Sequence, residues 1–336
     1  MINTNKLLSK FIKKKLNRKK ILITGGTGML GREVVRLLID ANAKVTSVSL
    51  DNLKIYKNKI KCIKGDLRDF NFCKKITKNQ DYVIHLAGIK ASIKITVERP
   101  ATFFVPLLMM NTNLLESCRI NKTKKVVFTS SIGAYQSSSI FIEKKFKTES
   151  LPMDFYPGWA KRMAELQIKS YKDEFSNVNF SIVRPSNVYG PGDNFDEKNA
   201  MVIPSLISRI SKGENPVKIW GDGSAIRDFI HVSDCAVGVL HALIYGTNSS
   251  FINLGSGKGI SIKKLVEELS KVTKFNYLFD KSKPSGFKKR VMDMSLAKKK
   301  IKFKPKISLR YGLETTFKWF NENKDEYKKR FNYFKK

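Results

Sequence analysis

Short apolar runs alternate with amphipathic stretches over the first half of the chain. The run Ile21 to Ile23 has the length and composition of a buried strand, and residues 32–38 then repeat their apolar positions with helical spacing. Further strand-like runs occur at 44–50, 60–65, 82–88 and 126–131. Strands that alternate with helices predict an α/β fold with a doubly wound parallel sheet.

The turn between the first predicted strand and helix carries glycines at 25, 28 and 31. Such spacing serves a sharp strand-to-helix turn, a close approach of the backbone to a pyrophosphate, and tight helix–strand packing. The following helix N-terminus offers N–H groups and a partial positive charge to phosphates. These features predict a Rossmann-type dinucleotide site whose contacts are Gly25, Thr27, Gly28, Met29, Leu30 and Gly31.

The second predicted strand ends near Asp51, about 20 residues beyond the last glycine, where an acid commonly binds the adenosine ribose and favours NAD. If Ser49 holds that position with Lys54 nearby, NADP is the alternative. The ends of the next two strands complete the expected cofactor contacts, with Asp66 and Leu67 at the adenine and the small-residue segment Leu86, Ala87 and Gly88 along the cofactor.

Bulk composition narrows the class of protein. The 336 residues are 42% apolar, and no window reaches the ~18 consecutive apolar residues that a membrane span needs. The four cysteines are scattered, which predicts reduced thiols in a cytoplasmic protein and no metal site. A net charge of +35 suits a nucleic-acid binder, but the lysines are spread along the whole chain and no nucleic-acid-reading motif is present. We therefore expect a lysine-rich surface and no nucleic-acid partner.

Residues 1–18 precede the first strand as a basic N-terminal arm. Leu7, Leu8, Phe11, Ile12 and Leu16 lie on one face of a potential helix that is otherwise rich in lysine. This pattern allows a weak association with an anionic membrane surface. The favoured alternative is a frayed arm or a helix packed on the body.

Several motifs resemble the extended short-chain dehydrogenase/reductase family, specifically its NAD-dependent epimerase/dehydratases of nucleotide sugars. The similar segments follow in family order over about residues 19–322: 24–31, 65–67, 85–88, 126–131, 184–193, 220–234, 253–257 and 311–319. The details are closest to the GDP-fucose synthase and UDP-sugar 4-epimerase branches. The resemblance implies a nucleotide-diphosphate sugar as substrate, a homodimer, and a role in surface polysaccharide or lipopolysaccharide sugar synthesis.

The resemblance assigns catalytic roles to Ser131, four residues before Tyr135, and to Lys161. In this family a tyrosine four residues before the lysine is the acid/base, and the lysine lowers its pKa and holds the nicotinamide ribose. Here that position is Pro157, and the nearest tyrosine is Tyr156. We expect the helix to start at Pro157, so that Tyr156 turns toward the nicotinamide from a non-helical position. Alternatively, the chain has lost the base and Lys161 mainly holds cofactor.

Other departures restrict the reaction. Ile132 and Gly133 stand where family dehydratases carry an acid, and Gly133 and Met201 replace the Cys and His of a double epimerase. The favoured reaction is epimerisation by transient oxidation at the sugar C4. The alternatives are a 4-keto reductase or dehydrogenase that exchanges its cofactor, and a non-catalytic scaffold. Substrate binding is assigned by the same resemblance to Asn187, Arg209 and Arg227.

The motif order predicts two lobes. Residues 19–185, with about 225–254, form the dinucleotide-binding domain, and residues 186–224 and 255–330 form a smaller substrate-binding lobe. Residues 331–336 are a basic tail.

Overall fold

The computed structural model describes residues 7–51, 53–56, 58–89, 93–197 and 199–324. The strands are β1 Lys20–Thr24, β2 Lys44–Ser49, β3 Lys61–Lys64, β4 Tyr82–His85, β5 Lys125–Thr129, β6 Ile140–Phe141, β7 Phe180–Pro185, β8 Asn187–Tyr189, β9 Val217–Trp220, β10 Ile226–His231, β11 Phe251–Leu254, β12 Gly259–Ser261, β13 Tyr277–Asp280 and β14 Lys289–Met292. The helices are α1 Lys10–Leu16, α2 Met29–Asp40, α3 Phe70–Thr77, α4 Ile93–Glu98, α5 Pro100–Ile120, α6 Phe155–Glu174, α7 Val202–Ser211, α8 Val232–Tyr245, α9 Ile262–Ser270, α10 Ser295–Lys300 and α11 Leu309–Glu322.

Seven parallel strands form the central sheet in the order β3-β2-β1-β4-β5-β7-β11. The order reverses between β1 and β4, so the carboxyl ends of these two strands open a crevice. The glycine turn follows β1 directly and therefore lies at this crevice. The predicted doubly wound parallel sheet is confirmed.

Alternating side chains of the strands supply two cores, one on each face of the sheet. Ile21 and Ile23 of β1 pack with α1, α2 and α8, whereas Leu22 between them packs on the opposite face with α3, α5 and α6. Because successive strand residues point to opposite faces, a three-residue apolar run can serve both layers. Both faces of the sheet are thus covered by helices.

The N-terminal arm is a helix packed on the body over the residues that the structure describes. Ile12 and Leu16 of α1 are fully buried in the core beneath α8, and Leu7 and Leu8 are buried with them. Four of the five apolar residues on that face are therefore buried against protein, as in the favoured alternative of a helix packed on the body, and membrane association stays a prediction. None of the helices in the described ranges is both long and apolar enough to cross a membrane.

A second sheet carries the later motifs, with β10 at its centre. Its order is β12-β10-β14-β6, and β8 also pairs with β10. A third core from α7, α9 and α11 packs nearby, together with β9 of the two-stranded β9–β13 sheet. The chain crosses between the two sheets more than once. Strand β10 belongs to the second sheet, α8 packs on the central sheet, and β11 is a strand of the central sheet. Residues 325–336, including the expected basic tail, lie outside the described residues.

Candidate functional site

The glycine turn is held by backbone contacts that exclude side chains. Gly25 has φ +71°, and a Cβ built on it would lie 2.8 Å from backbone atoms of Ala87. A Cβ on Gly31 would lie 2.2 Å from the carbonyl oxygen of Gly25. The Gly28 N–H donates to that same carbonyl at 3.1 Å. Both the turn and its packing against the end of β4 therefore require glycine.

The turn leads directly into a helix N-terminus. Met29 and Leu30 are the first two residues of α2, and its N-cap is Gly28, which has no side chain to cap the helix. The first N–H groups of a helix lack intrahelical partners and point toward an anion placed at the helix axis. A cradle without side chains that ends in such N–H groups fits the pyrophosphate of a dinucleotide.

Asp51 and Ser49 meet at the edge of this cradle. Thr27 Oγ1 donates to Asp51 Oδ2 at 2.6 Å, so the hydrogen bond between Thr27 Oγ1 and Ser49 Oγ at 2.5 Å has Ser49 as donor. Strand β2 ends at Ser49, and Asp51 lies two residues beyond. Both predicted ribose-side residues thus lie beside the glycine turn. The preference between NAD and NADP stays a prediction.

The remaining predicted cofactor residues lie after β3 and β4. Asp66 forms an ion pair with Arg68 at 2.5 Å, and Leu67 beside it is buried. The N–H groups of Leu86 and Ala87 bond to Thr24 at the end of β1. A Cβ on Gly88 would meet open space, so its role in cofactor binding stays a prediction.

A buried polar chain connects β1 to α5 and was missed from the sequence. The Thr24 hydroxyl lies 2.7 Å from His85 Nδ1, and His85 Nε2 lies 2.9 Å from Asn111 Oδ1. An amide oxygen only accepts, so Nε2 carries the proton and Nδ1 accepts from Thr24. Burial, assisted by the nearby Lys161 charge, lowers the pKa of His85 to about 3. His85 is therefore neutral and has a structural role between β1 and α5. The available signal for Asn111 in the sequence was a polar residue within the apolar segment that forms α5.

Ser131 and Lys161 both lie at the carboxyl end of β5. Lys161 Nζ donates to the Thr129 carbonyl at 2.8 Å and lies 4.8 Å from the centre of the Phe128 ring. Ser131 follows two residues later and accepts at Oγ from the Gly133 N–H at 3.1 Å. Burial lowers the pKa of Lys161 to about 8, against a smaller opposite effect of Glu165. These two predicted catalytic residues are thus anchored to the same strand end.

Glu165, one turn after Lys161, fixes α6 against the central sheet. Its carboxylate accepts two hydrogen bonds from the fully buried Arg184 at 2.8 and 2.5 Å, and another from Ser130 at 2.5 Å. Aromatic rings surround the guanidinium, with the Phe251 ring centre 3.6 Å from its carbon. Since Arg184 belongs to β7 and Ser130 follows β5, this cluster sets the position of the helix that carries Lys161.

Tyr156 lies in a different place from the one the sequence suggested. Helix α6 begins at Phe155 with Asp154 as N-cap, so the expected start at Pro157 is wrong and Tyr156 is helical. On a helix, residues five apart are rotated by about 140°, against about 40° for residues four apart. The Tyr156 ring packs near Phe104 of α5, with centres 6.0 Å apart. The structure thus brings Ser131 and Lys161 together and places Tyr156 on another face. Its role as acid/base stays a prediction.

Two arginines on neighbouring strands of the second sheet form a cationic pair. Arg227 of β10 is in register with Arg290 of β14, a residue that the sequence did not single out. Arg227 Nη1 donates to the carbonyls of Ile226 and Phe287. Burial lowers the pKa of Arg290, with an opposing effect from Asp154. The predicted Asn187, on the adjacent β8, donates to the Asp228 carbonyl at 2.9 Å. Guanidinium groups side by side are suited to a diphosphate.

Arg209 has other partners. Its guanidinium donates to both carboxylate oxygens of Glu214, the Nε bond being 2.7 Å, and to the Lys218 carbonyl at 2.7 Å. These bonds hold the end of α7 to the loop before β9. Substrate binding by Arg209 stays a prediction, which the structure does not favour because these donors are already engaged.

Comparisons with known proteins agree with this geometry. The sequence pattern of the NAD dependent epimerase/dehydratase family matches residues 21–255. A putative UDP-glucose 4-epimerase of Methanocaldococcus jannaschii is 31% identical over 312 residues, which cover 90% of this chain and 99% of the relative. A dTDP-4-dehydro-6-deoxy-D-allose reductase of a Streptomyces species is 29% identical over 321 residues, or 91% of this chain and 97% of the relative.

A solved structure extends the similarity to the whole fold. The UDP-N-acetylglucosamine 4-epimerase of Methanobrevibacter ruminantium M1, in complex with UDP-N-acetylmuramic acid, superposes with a TM-score of 0.79 at 31% identity. The match covers 91% of this chain and 99% of that one.

Proposed function

Since this chain belongs to the NAD dependent epimerase/dehydratase family of enzymes, we propose that it inverts a nucleotide-diphosphate sugar at C4 by transient oxidation. Epimerases and a 4-keto reductase of nucleotide sugars are among its relatives. The proposed product enters the synthesis of a surface polysaccharide. Membership of the family already implies a nicotinamide dinucleotide and a nucleotide sugar. What is proposed in addition is the reaction at a single carbinol carbon.

One observation carries the proposal: the dinucleotide cradle packs at the end of β4, and Ser131 and Lys161 lie at the end of the neighbouring strand β5. Gly25 packs on Ala87 after β4, and β4 is the neighbour of β5, which Lys161 and Ser131 border. Asp154, whose backbone N–H bonds the Gly133 carbonyl at 3.2 Å, is electrostatically coupled to Arg290. We propose that a diphosphate held by Arg227 and Arg290 directs its sugar toward Ser131.

The chain's own groups divide the remaining work. When bound, a nicotinamide ring supplies the reversible hydride acceptor for the carbinol carbon. Lys161, held by the Thr129 carbonyl, directs positive charge at the reaction site and at the ribose hydroxyls. The Ser131 hydroxyl is placed to hydrogen-bond the reacting oxygen, and Asp51 to accept from the adenosine ribose.

A 4-keto reductase that exchanges its cofactor is the second candidate. The similarity to the Streptomyces reductase favours it, and so does Ser49 beside Asp51, because a serine at the strand end tolerates a ribose 2′-phosphate. The two candidates differ in whether the cofactor leaves between turnovers.

The decisive experiment combines released cofactor with isotope retention. The purified protein is denatured, the released nucleotide is identified, and a panel of UDP-, dTDP- and GDP-sugars is incubated with fresh protein in D2O. The epimerase predicts near-stoichiometric NAD and a C4 epimer without deuterium at C4. A protein that binds NADPH only when it is added, and consumes it with a 4-keto sugar, is the reductase. Failure to bind either dinucleotide would overturn both.

We also propose a homodimer through α5 and α6, which pack against each other. Val105 and Met109 on α5, and Met163 and Leu166 on α6, are 43 to 53% exposed although apolar. Such a patch on adjacent helices suits a second copy of the chain. Met163→Lys should convert a dimer to a monomer in analytical ultracentrifugation, and Lys169→Met, elsewhere on α6, should leave it a dimer. A monomeric wild-type protein contradicts this part.

A further inference from the structure

Gly133 leaves a space in the site that another residue fills with a carboxylate. A Cβ built on Gly133 would lie 2.3 Å from Asp154 Oδ2 and 2.9 Å from its Cγ. The Asp154 carboxylate therefore occupies the volume into which a side chain at 133 would project. On the other side of the same glycine, the Gly133 N–H donates to Ser131 Oγ. One glycine thus separates the proposed catalytic serine from a carboxylate.

The position of this carboxylate is unusual for a helix cap. Asp154 is the N-cap of α6, yet its side chain accepts no capping hydrogen bond from the helix. At α3, by contrast, the N-cap Asp69 accepts from the Phe72 N–H at 3.0 Å. A capping aspartate gains stability from such a bond. The side chain of Asp154 instead turns toward Gly133, which indicates a use other than helix stability.

The surroundings suit proton exchange. Asp154 is half-buried, and burial raises the pKa of its carboxyl group, with Arg290 acting in the opposite direction. A carboxylate with a raised pKa is a stronger base when ionised and a usable acid when protonated. The charge of Arg290, a member of the proposed diphosphate site, acts on Asp154, and the proposed placement of the sugar lies between Asp154 and Ser131.

We propose that Asp154 is the catalytic acid/base of this enzyme, replacing the tyrosine whose position is Pro157. The inference rests on the proposed function. The Asp154 carboxylate accepts the proton of the sugar hydroxyl, while the hydrogen on the same carbon leaves with two electrons for the oxidised nicotinamide. The carbinol becomes a ketone and the carboxylate becomes a carboxylic acid. Return of the hydride and the proton restores an alcohol, on either face.

Tyr156 is the competing group, and the geometry argues against it. It lies on the part of α6 that faces Phe104, whereas Asp154 precedes the helix and contacts the loop that carries Ser131. Because Asp154 precedes α6, the helical repeat does not fix the direction of its side chain. Loss of the tyrosine at position 157 and absence of a side chain at 133 are then two parts of one rearrangement.

The test compares Asp154→Asn with two controls in the full-length protein loaded with NAD. Asparagine keeps the shape and is an equally good N-cap, so folding is preserved. We expect turnover to fall about 100- to 1,000-fold. The dissociation constants for NAD and for the nucleotide sugar, measured by calorimetry, should stay within about threefold. Asp173→Asn, at the exposed far end of the same helix, should match the wild type, and Tyr156→Phe should lose far less turnover than Asp154→Asn.

A second variant addresses the space itself. Gly133→Ala places a methyl group where the Asp154 carboxylate lies. As a single substitution it should lower turnover about tenfold. In the Asp154→Asn background it should lower turnover no further. Near-wild-type turnover of Asp154→Asn, with a large loss in Tyr156→Phe, overturns the inference and leaves the proposed function intact. A wild-type protein that turns over no nucleotide sugar overturns both.

Discussion

The two sides of the site are built in different ways. The phosphate cradle on the dinucleotide side is a single continuous segment, from β1 through the glycine turn into α2, and its groups are mostly backbone. The proton-transfer side is assembled from the loop after β5, the start of α6 and the edge of the second sheet. A continuous segment tolerates little change, because each glycine has a neighbour within contact distance. In a site assembled from separate elements, one residue can take over the role of another, provided that its side chain reaches the same position.

The largest effect is expected on the dinucleotide side. In Gly31→Val the side chain overlaps the Gly25 carbonyl, because even a Cβ would lie 2.2 Å from that oxygen. The turn must open, and NAD affinity should fall at least about 100-fold by calorimetry. Gly213→Asn is the control, because its left-handed position is surrounded by open space and tolerates asparagine. Normal NAD binding by Gly31→Val would show that the cradle is not the cofactor site.

Lys161→Met tests whether the proton-transfer side depends on one cation. Methionine keeps the aliphatic length and loses the charge held by the Thr129 carbonyl. Turnover should fall about 100-fold or more, with a smaller loss of NAD affinity. Lys169→Met, two turns along on the exposed surface, removes an ion pair with Asp173 and should have little effect. Unchanged turnover in Lys161→Met contradicts the assignment.

The third effect concerns stability, through a buried histidine between β1 and α5. His85 contacts Thr24 on β1 and Asn111 on α5, and its pKa of about 3 is lowered mainly by burial. Because the pKa of this histidine is lower in the folded state, the unfolded state binds the proton at a higher pH than the folded state does. Stability is therefore fully present above about pH 6.5 and is lost as the pH falls toward 3.

Between pH 7 and pH 5 this linkage amounts to about 2 kcal/mol for one such histidine. Urea unfolding of the wild type and of His85→Gln at both pH values measures the difference. The variant is less stable at pH 7 but should lose less on acidification. His231, whose pKa burial lowers to about 4, contributes in the same direction and is present in both proteins. Equal losses in the two proteins would contradict a buried neutral His85.

The smallest effect is expected at the ribose. Asp51→Asn removes the charge that repels a 2′-phosphate and keeps an acceptor for Thr27. The ratio of NADP to NAD affinity should rise about tenfold, as expected for one partly solvated charge pair. Asp40→Asn, at the far end of α2, changes net charge equally and should leave the ratio unchanged. A ratio that does not move would place the ribose next to Ser49 instead.

The sequence was sufficient wherever structure is local. Apolar runs and their alternation with helices predicted the parallel sheet, and the glycine spacing predicted the cradle, because strand period, turn geometry and helix termini are properties of a few consecutive residues. Ser131 and Lys161 came from the family resemblance of their motifs; both lie at the end of β5, and their catalytic roles stay predictions. For the N-terminal arm the sequence favoured a frayed arm or a packed helix over a membrane-surface helix, although an amphipathic pattern is compatible with both. Only packing under α8 resolved it.

Tertiary structure decided what depends on separate elements meeting. Helix α6 starts at Phe155, two residues before the expected Pro157, so Tyr156 is helical and lies about 100° around the axis from position 157. No sequence pattern specifies that start, since proline is suited to any position of the first turn. Arg290 became visible through its register with Arg227, and Asn111 through its bond to His85. Asp154 could be identified only from the structure. It lies 21 positions from Gly133 in the chain, and its carboxylate fills the volume that the missing side chain of Gly133 leaves open.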